Sequence, residues 1–196
     1  MTTLDERPVL AQPSALAQPS ALAQPSALAQ PSALAGAHGA DLLRTALRRH
    51  AAGVTVITAS GPGGPAGFTA TSFTSVSLDP ALVSFYLSAT ASAAPAVREA
   101  EAFTVHILRD DQRELANRFA RSGIDRFAGT DWHTGPYGTP VLAGAAARLT
   151  ARPFLLQPVG DHLLVVGEVL AVDTTDGPPL VHHDGGYGGF TPVREG

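Results

Sequence analysis

Gly67-Phe68-Thr69-Ala70-Thr71-Ser72-Phe73-Thr74-Ser75-Val76-Ser77-Leu78-Asp79-Pro80 places six hydroxyl side chains within nine residues, from Thr69 to Ser77. On a plain strand, alternate Thr and Ser make a solvated face and nothing more. This run is not plain. It breaks around Phe73-Thr74, between one strand-like piece at 66–71 and a shorter one at 75–78, and Asp79-Pro80 stops the second. A second hydroxyl cluster, Ser88-Ala89-Thr90-Ala91-Ser92, follows the next strand and lies just ahead of a helix opened by Pro95. Hydroxyls and unpaired backbone N–H groups near a helix start form an anion site that needs no lysine. Two such clusters on consecutive strands can face one phosphate.

Outward from this stretch the period stays near two. Val54-Thr55-Val56-Ile57-Thr58 reads as a strand, and Gly61-Pro62-Gly63-Gly64-Pro65 as the turn into the next. Residues 82–87 put Val83, Phe85 and Leu87 on one face and Tyr86 on the other. Further strands are expected at 103–108, 145–157, 162–172 and 180–182, the two long ones joined at Val159-Gly160-Asp161. Helices are expected at 41–52, closed by Gly53, at 95–100, and at 112–121 with Leu115, Ala116 and Phe119 inward. The Gly- and aromatic-rich stretch 127–140 reads as a loop. Many strands with few short helices predict a mainly β fold, an antiparallel barrel rather than a doubly wound sheet. The glycine-rich turn at 61–67 is no dinucleotide fingerprint, because prolines break it and a strand, not a helix, follows.

Composition narrows the chemistry. The 196 residues are 44% hydrophobic and carry a net charge of −4, a poor balance for neutralising nucleic acid phosphates. No cysteine is present, which removes disulfides, thiolate metal sites and cysteine nucleophiles. All 13 basic residues are arginine, so lysine Schiff-base chemistry is excluded. No apolar run reaches a membrane span, and the acidic, polar start differs from a secretory signal; a cytoplasmic protein is expected. The seven histidines lack metal-ligand spacing, and no metal site is expected.

Residues 10–33 are four tandem copies of Leu-Ala-Gln-Pro-Ser-Ala. Each copy offers one large apolar residue and a proline, too little to bury. Residues 1–38 are therefore read as a disordered low-complexity tail and 39–196 as a single folded domain.

Gly53 to Thr58, the stretch 67–80, Phe103-Thr104-Val105-His106-Ile107-Leu108, Gln112 with Leu115-Ala116, Phe119-Ala120, Gly160-Asp161-His162, Gly167-Glu168-Val169 and Pro179-Leu180-Val181 together resemble the flavin reductase-like family. The resemblance covers about residues 42–190. It implies an FMN-binding split β-barrel, a homodimer with flavin near the subunit interface, and hydride transfer from NADH or NADPH to FMN or FAD. It further implies supply of reduced flavin, by diffusion, to a partner monooxygenase or halogenase. By position, Thr69, Ala70, Thr71, Ser72, Ser75, Val76 and Ser77 would line the flavin. Ser88, Thr90 and Ser92 would lie near its phosphate, and Phe127 near its ring. Gly160, Asp161 and His162 match the element associated with the nicotinamide cofactor, with His162 the expected catalytic residue. The chain departs from the family pattern at His106, where asparagine is usual, and near Leu149-Thr150, where a frequent cysteine is absent.

Hydride transfer between two flat cofactors needs positioning more than acid–base groups. A chain with no triad, clustered carboxylates or metal ligands suits that chemistry, but also a flavin-binding module without turnover. A flavin-dependent biosynthetic oxidoreductase acting directly on an organic substrate is the other alternative.

Overall fold

The computed structural model describes residues 36–193. The repeats at 10–33, on which the expectation of a disordered tail rests, lie outside the described residues. The chain runs α1 (Ala37–Leu47), β1 (Ala52–Gly53), β2 (Thr55–Gly61), β3 (Gly64–Ala70), β4 (Thr74–Leu78), β5 (Ala81–Ser88) and α2 (Ala94–Glu99). It continues with β6 (Phe103–Ile107), α3 (Arg113–Ala120), β7 (Trp132–Thr134), β8 (Pro140–Leu142), β9 (Ala147–Val159), β10 (His162–Thr174), β11 (Leu180–His183) and β12 (Gly186–Gly189).

Seven strands form one antiparallel sheet in the order β3-β2-β6-β9-β10-β5-β4. The sheet bends until β3, at one end, meets β5, the strand next to the other end. Phe68 on β3 and Phe85 on β5 touch, with ring centroids 5.8 Å apart, although no ladder joins these strands. The result is an antiparallel barrel, as the strand pattern predicts, split along one seam, as the resemblance implies.

Both faces of β2 are covered, which is why Thr55 to Ala59 read as a continuous buried run. Ile57 and Ala59 join the barrel interior with Phe68, Phe85 and Phe103, where Phe85 meets Phe103 edge-on at 5.3 Å. Val54 and Val56 face a second core under α3, with Phe119, Phe127, Leu142 and Leu180. Gly67 lets α3 come this close: a Cβ there would stand 2.7 Å from the Phe119 ring.

His106 lies between these layers, fully buried. Its Nδ1 is 3.0 Å from the Val56 carbonyl, and its Nε2 accepts the Leu142 N–H at 3.0 Å. The carbonyl can only accept, so Nδ1 carries the proton and the ring is neutral. Burial pushes its pKa down to about 4. The departure from the family's asparagine is thus a core residue that pins β8 to the barrel.

Three sequence expectations are corrected. The first helix does not run over 41–52. It spans Ala37–Leu47, and Ala52–Gly53 leave it to pair with Val181 and His182. The stretch 127–140 is not only loop, because Trp132–Thr134 pairs with Pro140–Leu142 across a 3₁₀ turn at Pro136–Gly138. A final strand, β12, pairs with β11. Its residues include three glycines, which hide it from any propensity argument; the pairing itself holds it.

Candidate functional site at the barrel seam

A ladder satisfies backbone polar groups by strand pairing. At a seam, side chains must do it. The Ser72 hydroxyl accepts the Tyr86 N–H at 3.0 Å and donates to the Tyr86 carbonyl at 3.3 Å, tying the end of β3 to β5. Thr69 donates to the Ala116 carbonyl at 2.6 Å and so fastens β3 to α3. The hydroxyl-rich stretch is therefore partly the seam's own fastening.

Between these ties a cleft of about 390 Å³ opens along the seam. Phe68, Leu87 and Phe119 give it apolar walls. Thr69, Ala70, Thr71 and Ser72 line one side, and Ser88, Ser92 and His162 the other. The β5–β10 register sets His162 opposite Ser88, and the Ala89 N–H donates to the Asp161 carbonyl at 3.0 Å. This stitching brings the Ser88–Ser92 cluster and the Gly160-Asp161-His162 turn, far apart in sequence, to one rim. Gly160 takes the left-handed backbone conformation of the turn, φ 58°.

His162 Nδ1 lies 2.6 Å from Asp161 Oδ1. A carboxylate only accepts, so Nδ1–H donates and Nε2 is left for another partner. The hydrogen bond from His162, reinforced by the imidazole charge, holds the Asp161 carboxyl below its ordinary range.

The remaining expected residues fall elsewhere. Ser75, Val76 and Ser77 sit on β4, the outermost strand, and do not line the cleft. Thr90 is exposed and hydrogen-bonded to Ser88 at 3.2 Å rather than lining the cleft. Phe127 is buried edge-on between Phe119 and Trp132, at 5.2 and 5.3 Å. Its partly open side borders a neighbouring cleft, not this one.

Sequence reasoning did not single out Arg126. Its Nε donates to the Arg121 carbonyl at 2.8 Å, and its Nη1 to the Gly67 carbonyl at 2.8 Å and to Ser92 Oγ at 3.1 Å. Three bonds fix the guanidinium at the end of the seam cleft, where partial burial lowers its pKa from the ordinary value while leaving it charged. Nη2 has no partner among the described residues. The missed signal was that, in a chain without lysine, arginine is the side chain that can bring a full positive charge to a phosphate, and Arg126 directly precedes the matched Phe127.

The cleft fits a phosphorylated flat cofactor. Its size lies within the range of small-molecule sites, and its lining mixes apolar side chains with hydroxyls, an arginine and a histidine. A partly buried cation, held by three hydrogen bonds, lines it with a hydroxyl bound to it. A flavin mononucleotide has the matching form, with an apolar tricycle at one end and a dianion at the other.

The model of the flavin reductase like domain family matches residues 47–191. The NADH:FMN oxidoreductase of Rhodococcus erythropolis is 46% identical over 158 residues, 78% of this chain and 82% of the relative. HsaB of Rhodococcus jostii, the reductase subunit of a flavin-dependent monooxygenase, is 34% identical over 152 residues, 77% of this chain and 78% of its own length. Among solved structures, the NADH:FAD oxidoreductase SgcE6 of Streptomyces globisporus, in complex with NAD and FAD fragments, superposes with a TM-score of 0.75 at 33% identity. That alignment covers 80% of this chain and 95% of the other.

Proposed function

This chain belongs to the flavin reductase-like family and is an NAD(P)H:flavin oxidoreductase; from that premise we propose that the seam cleft is where the flavin is held. The observation that carries the assignment is the convergence of Thr71, Ser88, Ser92, Arg126 and His162 on one cleft that Phe68, Leu87 and Phe119 also line.

Bound flavin supplies the redox chemistry, taking a hydride from a reduced nicotinamide. The protein's part is placement. Phe68, Leu87 and Phe119 exclude water from the ring. Arg126 and Ser92 hold the phosphate, with Ser88 and Thr71 adding hydroxyls. Asp161 fixes His162 in one tautomer so that Nε2 faces the incoming nicotinamide, and Gly160 sets the turn that presents it. Ser72 and Thr69 act through the backbone, by holding the seam at its working width.

The active unit on this reading is a homodimer. Leu42 and Leu47 on α1, Val76 and Leu78 on β4, and Phe154 on β9 are all exposed, a distribution that suits a second copy. Ser75, Val76 and Ser77 then serve the flavin site from the subunit interface rather than from within one chain. Reduced flavin leaves by diffusion to a flavin-dependent oxygenase; HsaB, by its name, is the reductase subunit of such a monooxygenase. The reaction is placed in the cytoplasm with its reduced nicotinamide supply. Among the described residues, no helix is long and apolar enough to cross a membrane.

Anaerobic mixing with NADH and with NADPH tests the reading. Bleaching of the flavin absorbance by at least one of them, with no organic substrate present, is expected. Bound flavin that neither reductant bleaches would contradict it.

A further inference from the structure

Two hollows next to the seam cleft differ in sign. One is lined by Arg126 itself together with Glu99 and Asp125, two carboxylates against one guanidinium. The other is a recess of about 520 Å³ on the outer face of α3. Glu114, Asn117, Arg118, Arg121 and Ile124 line it, two guanidiniums against one carboxylate.

Arg121 joins this recess to the seam. It directly follows α3 and stands between Ala120 and Ser122, both of which line the seam cleft. Its carbonyl accepts the Arg126 Nε–H at 2.8 Å, so its backbone helps to fix the cation inside. Its side chain belongs to the recess and is exposed. Arg118, one turn earlier, donates from Nη1 to the Ala128 carbonyl. Among the described residues, neither arginine forms an ion pair, with Glu114 or with any other carboxylate. An exposed guanidinium of this kind adds little to the stability of a fold. Its charge is free to act on what approaches.

The chain as a whole carries −4, and the phosphate of FMN is an anion as well. At long range the two repel. Salt limits the reach of any charge to about 8 Å at physiological ionic strength. A cation that draws in a phosphate must therefore stand at the mouth of the cleft. Arg121 does, and the carboxylates of Glu99 and Asp125 repel the same phosphate from the neighbouring hollow.

Resting on the flavin reading above, we propose that Arg121, with Arg118 behind it, is the electrostatic entrance of the seam cleft: it draws in the phosphate of incoming FMN and passes it to Arg126. Arg121 then governs how fast FMN binds, without being a ligand of the bound flavin. The effect belongs to flavins that carry a phosphate, and riboflavin is indifferent to it.

The test uses the full chain freed of flavin, with the parent, Arg121→Gln and Arg121→Glu. Association and dissociation rate constants for FMN and riboflavin are read from flavin fluorescence after rapid mixing. At low salt, about 10 mM, where charges reach about 30 Å, Arg121→Gln should slow FMN association about threefold and Arg121→Glu about tenfold. At about 500 mM salt both variants should come within about twofold of the parent. Riboflavin association, and the dissociation of both ligands, should stay within about twofold throughout. FMN association by Arg121→Glu within about twofold of the parent at low salt overturns the proposal. So does equal slowing of FMN and riboflavin, which would mean that the substitution alters the cleft. A change confined to FMN dissociation overturns it too, because Arg121 would then be a ligand of the bound phosphate. A parent protein that binds no flavin would overturn the flavin reading instead, before any variant is compared.

Discussion

His106 and His162 stand in two regions of the same barrel, one in the middle of a buried strand and one at a strand end that borders the seam cleft. Around His106 every polar group is spoken for: Val56 and Leu142 take both ring nitrogens, and strands run on both sides. Around His162 only Nδ1 is engaged, by Asp161, and the ring is half-exposed in a cleft. The same side chain is a structural member in the first region and an available ligand in the second. The difference lies in the sheet. In mid-strand beneath a covering layer, a polar side chain is consumed by the fold; at the first residue of β10, beside a turn, the backbone is paired but the ring opens on the seam cleft with one nitrogen left over.

The largest expected effect breaks the ladder side. His106→Leu orphans the Val56 carbonyl and the Leu142 N–H in a dry core. Each unsatisfied group costs about 1–3 kcal/mol, so a loss of about 3–5 kcal/mol is expected in denaturant unfolding. Flavin affinity of the folded fraction should be unchanged. A loss below about 1 kcal/mol would mean that water replaces the ring.

Acid sharpens the contrast. The unfolded histidine protonates near pH 6.5, while buried His106 resists until about pH 4. Between these values the unfolded chain binds more protons, so stability falls as pH falls. The full cost, about 3 kcal/mol at 1.4 kcal/mol per pH unit, is reached below pH 4. Unfolding free energies measured at pH 7 and pH 4 should show this component in the parent and not in His106→Leu.

Smaller effects belong to the seam. Ser72→Ala removes a hydroxyl that both accepts from and donates to Tyr86, with an expected loss of about 1 kcal/mol in stability. FMN and riboflavin should weaken alike, because Ser72 sets the width of the cleft rather than touching a phosphate. His162→Ala should raise the KM for NADH by about three- to tenfold and leave the FMN dissociation constant within about twofold. Kinetics identical to the parent would reduce His162 to a turn residue.

The strands were legible wherever one face is buried. In 82–87, Val83, Phe85 and Leu87 are buried and Tyr86 is exposed, as read, with Ser84 buried besides, and the Gly160 turn between β9 and β10 is marked by its glycine. Legibility failed where pairing, not side chains, decides. Nothing in Gly186-Tyr187-Gly188-Gly189 signals a strand, and Trp132–Thr134 is too short to show a period. At the site, the two hydroxyl clusters and the Gly160-Asp161-His162 turn were found in sequence, and the structure brings Thr71, Ser88, Ser92 and His162 to one cleft. Which hydroxyls are free was not legible. Thr69 and Ser72 look the same as Thr71 in sequence, and only the seam shows that the first two are used by the backbone. Arg126 was hidden among 13 arginines until its three hydrogen bonds set it apart.

The central claim, that the seam holds a flavin with its phosphate on Arg126, is tested most directly by the dissociation constants of FMN and riboflavin for the parent and for Arg126→Gln. A hydrogen bond to a charged group contributes about 1.5–3 kcal/mol, so the variant should bind FMN about 10- to 100-fold more weakly. Riboflavin, which has no phosphate, should change by less than about twofold. Equal losses for the two ligands, or unchanged FMN binding, would contradict the account and move the phosphate elsewhere.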